Sequence, residues 1–153
     1  MKINNQSRAG WIKLFYYVLV FLYLAITILL LYLREEDIYT VLGGMTAFVI
    51  VTIIFTLSLD LNFVIYQESE KKIILRYYPL HPFHHKFKSI EIAKNSLSHF
   101  DIENKLLGLR TEIVLYQQTE RGLAKYPKVS ISALSKSDKL KMIDSLRRNS
   151  LKK

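Results

Sequence analysis

Two long stretches without a charged side chain, residues 14–33 and 41–59, dominate the hydrophobic pattern of this chain. Each holds about 20 residues, and a helix of that length, rising about 1.5 Å per residue, matches a hydrocarbon core about 30 Å thick. Neither stretch offers a polar face to water, so the pattern predicts a membrane-spanning helical hairpin rather than two core helices of a soluble protein. A cleaved secretory signal is the other alternative, but the first stretch is too long for one and a second follows it closely.

The basic residues predict the orientation of the hairpin. Lys2, Arg8 and Lys13 precede the first stretch with no acid among them, whereas the loop between the stretches carries one arginine against three acids. Positively charged flanks stay in the cytoplasm. We therefore expect an integral protein of the cytoplasmic (inner) membrane with both termini in the cytoplasm.

The predicted spans carry few polar side chains. Neither contains a charged residue, histidine or proline, so transport by this chain alone is not expected. Tyr23 lies in mid-span and is expected to pack against the second helix near Gly43 and Gly44, where missing side chains permit close approach. The threonine hydroxyls of the second span are expected to bond to backbone carbonyls of their own helix.

The rest of the chain, residues 60–153, has the length and pattern of one small domain. Ile73, Leu75 and Tyr77 alternate with more polar residues, as in an antiparallel sheet with one solvated face. Runs of this kind predict six strands, at 61–67, 72–78, 87–93, 97–103, 111–117 and 125–132. The predicted organisation is a cytoplasmic tail at 1–13, the hairpin at 14–59, a domain at 60–148 and a basic tail at 149–153.

After the last strand the hydrophobic period lengthens from two residues to three or four. Ser135 is suited to cap a helix, with Asp138 three residues further on near the positive end of the helix dipole. Leu140, Ile143 and Leu146 recur on one face, which predicts an amphipathic helix of about four turns that buries these three side chains. The fold class is therefore α+β: a helical hairpin, an antiparallel sheet, and one terminal amphipathic helix that closes the domain.

Composition and charge narrow the function classes. The chain of 153 residues has no cysteine, which excludes a disulfide scaffold, a thiol nucleophile and a thiolate metal site. Its net charge of +9 suits a membrane surface or simply a positive-inside bias, and no RNA or DNA motif accompanies it, so nucleic acid is not an expected partner. Five basic residues after the second span are expected to contact anionic lipid: Lys71, Lys72, Arg76, Lys86 and Lys88.

A histidine-rich loop holds the only dense group of possible metal ligands. His81, His84 and His85 lie within five residues, and His99 follows on a predicted strand. A zinc site needs three or four convergent ligands, and no H-E-x-x-H motif or cysteine supplies the missing ones. We expect no metal and no cofactor, and an enzyme or metal-dependent protein that uses this loop is kept as the alternative function.

Other catalytic groups are not indicated. No serine lies in a G-x-S-x-G setting, and no glycine-rich phosphate loop is present outside the predicted spans. Asp101 and Glu103 share a strand face, but nothing apolar surrounds them to separate their pKa values, so they are expected to be solvated charges. The sequence thus predicts a protein that is not an enzyme and has no small-molecule substrate.

Several segments of the soluble part carry a resemblance to a known family. They are residues 63–66 with 73–78 as an opening hairpin, 90–92, the step Leu106-Leu107-Gly108-Leu109 into 111–115, and 129–134 before the helix. Together with the preceding spans, they resemble the membrane-anchored bacterial pleckstrin-homology-like (PH-like) family.

The resemblance implies a curved sheet or partial barrel that is capped by the C-terminal helix and serves as an interaction module. No compact basic cluster corresponds to the inositol-phosphate pocket of eukaryotic relatives, so phosphoinositide recognition is not expected. We predict a cytoplasm-facing module that is accessory to a membrane or envelope protein complex. Its expected partners are the bilayer and either another membrane protein or a second copy of the chain.

Overall fold

Both apolar stretches are helical in the structure, a computed structural model that describes residues 1–33, 37–81 and 86–151. Helix α1 spans Gln6–Leu33 and helix α2 spans Ile38–Ser58. Both are long and apolar enough to cross a membrane, and their most apolar windows are not buried against the rest of the protein. Helix α1 begins eight residues before the predicted span.

A side-chain hydrogen bond joins the two helices of the hairpin. Tyr23 Oη lies 2.9 Å from Thr46 Oγ1, which itself donates to the carbonyl of Leu42 at 2.8 Å. Beside this bond lies an open apolar groove of about 390 Å³, lined by Tyr23 and Gly44 among others. The predicted packing of Tyr23 is confirmed. So is the predicted pairing of the threonine hydroxyls with their own helix, because Thr52 and Thr56 bond in the same way.

The strands form two antiparallel sheets. Sheet A has the order β1-β2-β3-β4, with β1 at Lys2–Asn4, β2 at Asn62–Glu68, β3 at Lys72–Pro79 and β4 at Lys88–Ala93. Sheet B has the order β5-β6-β7, with β5 at Leu97–Lys105, β6 at Arg110–Thr119 and β7 at Gly122–Lys125. A short β8, Val129–Ser130, also pairs with β6, and helix α3 follows at Lys136–Asn149. The chain is therefore α+β, as predicted.

One hydrophobic core joins both sheets and α3. Residues of the predicted strands supply most of it, among them the alternating Ile73, Leu75 and Tyr77, and Met142 and Leu146 extend it from the helix. The other core residues that lie within the predicted strands are Val64, Tyr66, Ile90, Ile92, Leu97, Ile113, Leu115, Val129 and Ile131. Period-two alternation located these strands because one face of each sheet is dry.

The N-terminal segment corrects the predicted organisation. Residues 1–13 are not a separate tail, because β1 pairs with β2 and Ile3, opposite Tyr66, is buried in the core. The N-terminal ammonium also donates to the carbonyl of Glu68 at 2.9 Å. A strand of three residues is too short to show alternation, and the hairpin separates it from its partner strand.

The last predicted strand and the predicted C-terminal tail are also corrected. The predicted strand at 125–132 is divided between β7 and β8, with Pro127, which has no amide hydrogen to donate, in the gap. At the C-terminus the predicted tail is attached as far as the structure describes it. Ser150 Oγ donates to the carbonyl of Ser98 at 2.8 Å, and the amide of Leu151 donates to the carbonyl of Leu97.

Helix α3 begins as predicted but buries a different face. Ser135 Oγ accepts from the amide of Asp138 at 3.0 Å, so the predicted cap is confirmed. Leu146 is fully buried, whereas Leu140 is 55 % exposed and is therefore wrongly placed by the prediction. The buried face runs through Met142, Ser145 and Leu146. Ser145 concealed this face in the sequence, because a buried hydroxyl interrupts the apolar pattern.

Candidate functional site

The region best placed for function is the junction between the helical hairpin and the sheets. One residue, Asn5, connects β1 to α1, and residues 59–61 connect α2 to β2. Both helices therefore enter neighbouring strands of sheet A with almost no linker. We call the first turns of α1, the end of α2 and the strand ends they meet the junction.

The Asn5 side chain fixes the start of α1 to sheet A. Its Nδ2 donates to the carbonyl of Asn62 at 2.9 Å, and its Oδ1 accepts from the amide of Val64 at 2.8 Å. The side chain thus prolongs the β1–β2 ladder in place of a backbone peptide group. Asn5 is buried, so both bonds form away from solvent. The helix and the strand are held in a single orientation.

The first turns of α1 also pack on the domain. Ala9 is buried against Leu80 and Ala133 in a second, smaller hydrophobic cluster. Arg8 donates from Nη1 to the carbonyl of Leu134 at 3.1 Å, just before α3. These contacts make the N-terminal part of α1 a component of the folded domain.

Aromatic side chains surround this part of α1. The ring of Tyr78 lies 4.9 Å from that of Phe63 and 4.5 Å from that of Phe87, between centroids. Lys13 Nζ lies 5.1 Å from the Tyr78 centroid, close enough for a cation–π contact. Phe87 and Trp11 are both largely exposed. Exposed aromatics beside a lysine are typical of the boundary between apolar and aqueous phases.

Sheet B is joined to the end of α2 by an arginine. Arg110, the first residue of β6, donates from Nη1 to the carbonyl of Ser58 at 3.0 Å. Its Nη2 pairs with Asp60 at 3.3 Å and also with Glu112. The first contact caps a carbonyl at the end of the helix, where a cation is electrostatically favoured. Both sheets are thus attached to the hairpin.

Glu112 is the buried acid of this arrangement. The sequence places it on the solvated face of its strand, but its side chain is buried and lies 2.7 Å from Lys105 Nζ. Burial alone raises the pKa of Glu112, but hydrogen bonds from Lys105 and Arg110 outweigh it and the net pKa is lowered. Glu112 is therefore a charged group that pairs with the basic residues on both sides of the turn. Its role depends on basic residues at both ends of a turn, which strand alternation does not reveal.

The predicted lipid-contact residues lie at different distances from the junction. Lys88 pairs with Tyr77 near the junction end of sheet A, and Lys86 precedes it. Arg76 lies further along β3, and Lys71 and Lys72 follow the far end of β2. At about 3.3 Å per residue, the seven residues of β2 separate the two ends of the sheet by about 20 Å. All five side chains are exposed: Lys71, Lys72, Arg76, Lys86 and Lys88.

The charge on the distal residues is also partly neutralised. Lys72 Nζ forms an ion pair with Glu91 at 2.9 Å. That hydrogen bond, with Lys72 and Arg76 as nearby charges, lowers the pKa of Glu91. The structure therefore separates a junction pair, Lys86 and Lys88, from a distal pair, Lys71 and Lys72, with Arg76 lying between them on β3.

The histidines are divided between the two sheets. His81 follows β3 of sheet A, whereas His99 lies on β5 of sheet B and stacks on Tyr116 with 4.2 Å between ring centroids. His84 and His85 lie outside the described residues. Within the described part of the chain, no group of three histidine, aspartate or glutamate side chains is arranged to hold a metal ion. Glu103, which the sequence places on the same strand face as Asp101, forms an exposed ion pair with Lys128 at 2.7 Å.

A polar network that the sequence did not indicate joins α3 to sheet A. Ser145 Oγ donates to Glu68 at 2.7 Å and lies 2.7 Å from the hydroxyl of Tyr66. Lys94 and Asn149 donate to the same carboxylate at 2.8 and 3.0 Å. The bond from Lys94, assisted by Ser145 and Asn149, lowers the pKa of Glu68 to about 2, and burial raises that of Tyr66 to about 12. The network explains the buried serine and holds the helix on the core.

Comparison of this chain with protein-family models, with curated proteins and with solved structures gives no match. Its function must therefore be inferred from the geometry of the junction.

Proposed function

We propose that this protein is a non-enzymatic interaction module of PH-like fold, anchored by its hairpin in a cytoplasmic membrane with both termini in the cytoplasm. One observation carries the proposal: the two sheets are attached directly to both helices, through Asn5 on one side and Arg110 on the other. Such a module cannot swing away on a linker. It presents a fixed face to the lipid and another to its protein partner.

The dimensions of α1 support insertion of the hairpin. Its 28 residues span about 42 Å, which exceeds a hydrocarbon core of about 30 Å by about eight residues. Arg8, Ala9 and Lys13, which contact the domain, all lie within the first eight residues of α1. Trp11 and Tyr32 are both exposed and stand 21 positions apart, about 32 Å along the helix. This spacing suits two aromatic belts, one at each surface of a bilayer.

The PH-like assignment is supported by element order and packing. Two small antiparallel sheets share one core, and a C-terminal helix closes it through Met142 and Leu146. We infer that the module is accessory to a membrane or envelope protein complex. The partner that it joins to the bilayer would be another membrane protein or a second copy.

The junction pair of lysines should contact anionic lipid more strongly than the distal pair. Electrostatic attraction near a leaflet is worth about 1 kcal/mol per basic residue and decays within about 8 Å at physiological salt. We expect the full chain to melt several degrees higher in vesicles containing phosphatidylglycerol than in phosphatidylcholine alone, because two lysines contribute about 2 kcal/mol. Reversing Lys86 and Lys88 to glutamate should remove this difference.

The matched control reverses Lys71 and Lys72 to glutamate. Any general loss of stability cancels, because each variant is compared with itself in the two kinds of vesicle. The control should keep most of the difference, and high salt should abolish it in the unsubstituted chain. An equal loss in both double variants would refute the placement of the junction pair at the leaflet. A difference that survives high salt, or that depends on a phosphoinositide, would indicate a specific pocket instead.

A further inference from the structure

Three leucines of the turn between β5 and β6 point into solvent. Residues 106–109, the leucine turn, contain Leu106, Leu107 and Leu109, and none of these three belongs to either hydrophobic cluster. Leu107 is fully exposed, and Leu109 is 56 % exposed. Single exposed leucines are common on protein surfaces, but three in one four-residue turn form an apolar tip.

The backbone of the turn gives no reason for leucine either. Leu106 and Leu107 have φ values of 51° and 56°, in the left-handed region where glycine and asparagine are favoured. A water-exposed turn of this shape would be served better by those residues. Neither core packing nor backbone preference accounts for the leucines, so an apolar environment outside the protein is the remaining physical reason.

The position of the turn identifies that environment. Strand β6 begins at Arg110 and ends at Thr119, and its first residue is bonded to Ser58, the last residue of α2. The start of β6 is therefore the end nearer the hairpin. The leucine turn immediately precedes Arg110. It therefore lies beside the end of α2, and the turn that joins β6 to β7 lies at the opposite end of sheet B.

We propose that the leucine turn inserts into the lipid bilayer beside α2, at the boundary between the headgroups and the acyl chains. This inference rests on the proposed function, since it requires the hairpin to span the membrane. Lys105 and Arg110 flank the turn, and both side chains remain partly exposed, as suits cations at headgroup depth. Insertion gives the module a third point of attachment, after α1 and α2, and fixes its tilt on the leaflet.

The absence of cysteine from the chain allows a direct test. Leu107→Cys is labelled with the environment-sensitive fluorophore NBD, and the full chain is reconstituted in phosphatidylcholine vesicles. Two further variants are labelled in the same way. Leu24→Cys, within α1, reports on insertion of the hairpin. Leu123→Cys is the matched control, because Leu123 is 52 % exposed on β7, at the far end of sheet B.

We expect NBD at position 107 to emit at shorter wavelength and several-fold more brightly than NBD at position 123. A nitroxide-labelled lipid carrying its spin label near the headgroup should quench the probe at 107 more than a lipid labelled deep in the acyl chain. The probe at 24 should show the reverse order, and the probe at 123 should be quenched by neither.

Two results would overturn the inference while leaving the proposed function intact. If the probe at 24 is quenched and that at 107 behaves like that at 123, the leucine turn stays in water. If the probe at 107 shifts to shorter wavelength without lipid quenching, the turn contacts protein, from a partner or a second copy. An unquenched probe at 24 would instead show that the hairpin is not inserted, and both the proposed function and the inference would fail.

Discussion

Replacing Leu146 with aspartate should abolish the cooperative thermal unfolding of the domain. Leu146 is 0 % exposed and lies in the core shared by both sheets and α3. The substitution combines loss of a buried leucine, worth about 2–5 kcal/mol, with burial of an unpaired carboxylate. The sum approaches the 5–15 kcal/mol that typically stabilises a whole domain. Near-UV circular dichroism of the detergent-solubilised chain, which reports on tyrosine packing, measures the loss.

Leu140 provides the matched control on the same helix. It is 55 % exposed, so Leu140→Asp should change the free energy of unfolding by no more than about 0.5 kcal/mol. The sequence pattern puts both leucines on one buried face, whereas the structure separates them. Equal destabilisation by the two substitutions would support the sequence pattern and contradict the observed rotation of α3.

Asn5→Ala is expected to have the second largest effect. It removes both bonds to β2 and leaves the carbonyl of Asn62 and the amide of Val64 without these partners. Both residues are buried, so water cannot readily replace the lost bonds. Each buried polar group left unpaired costs about 1–3 kcal/mol, so the total should be about 2–5 kcal/mol. Thermal unfolding in detergent gives the stability. Hydrogen exchange should show faster exchange in β1 and at the start of α1.

The neighbouring Asn4 is the control for this substitution. It is exposed, and its side chain accepts only a marginal bond of 3.5 Å from the amide of Gln6. Asn4→Ala should therefore be close to neutral. If Asn5→Ala were equally mild, the side chain of Asn5 would not be the fastening between sheet A and the hairpin.

The sequence predicts the parts of this fold in which one repeating pattern extends over many residues. The apolar helices, the inward faces of the long strands and the Ser135 cap are of this kind. Strand β1 was missed because three residues cannot show a period and its partner is more than 50 residues away. The rotation of α3 was missed because Ser145 is buried by its hydrogen bonds and not by apolarity.

The junction was the least predictable region, because it is made of contacts between distant residues. Arg110 and Ser58 are 52 positions apart, and Arg8 and Leu134 are 126 apart. Both arginines look like ordinary surface charges in the sequence, and their partners are backbone carbonyls. The charge excess near the hairpin was visible, but its division into a junction pair and a distal pair depends on strand register. That register places Lys72 opposite Ala93 and Lys88 opposite Tyr77.

The structure also decides where a topology probe can be placed. A cysteine at Ser145 would be useless, because that side chain is fully buried and would not react on either side of a membrane. Ser7 near the start of α1, Asp37 before α2 and Glu120 in the turn between β6 and β7 are all exposed. These three positions report on the N-terminus, the hairpin tip and the sheets.

The most direct test of the account is labelling of single cysteines at Ser7, Asp37 and Glu120 in intact cells with a membrane-impermeant thiol reagent. A hairpin that spans the membrane with the sheets on the cytoplasmic side predicts that only the cysteine at position 37 reacts before permeabilisation. All three should react afterwards. Labelling at position 120 in intact cells, or no labelling at position 37 until the cells are opened, would contradict the account.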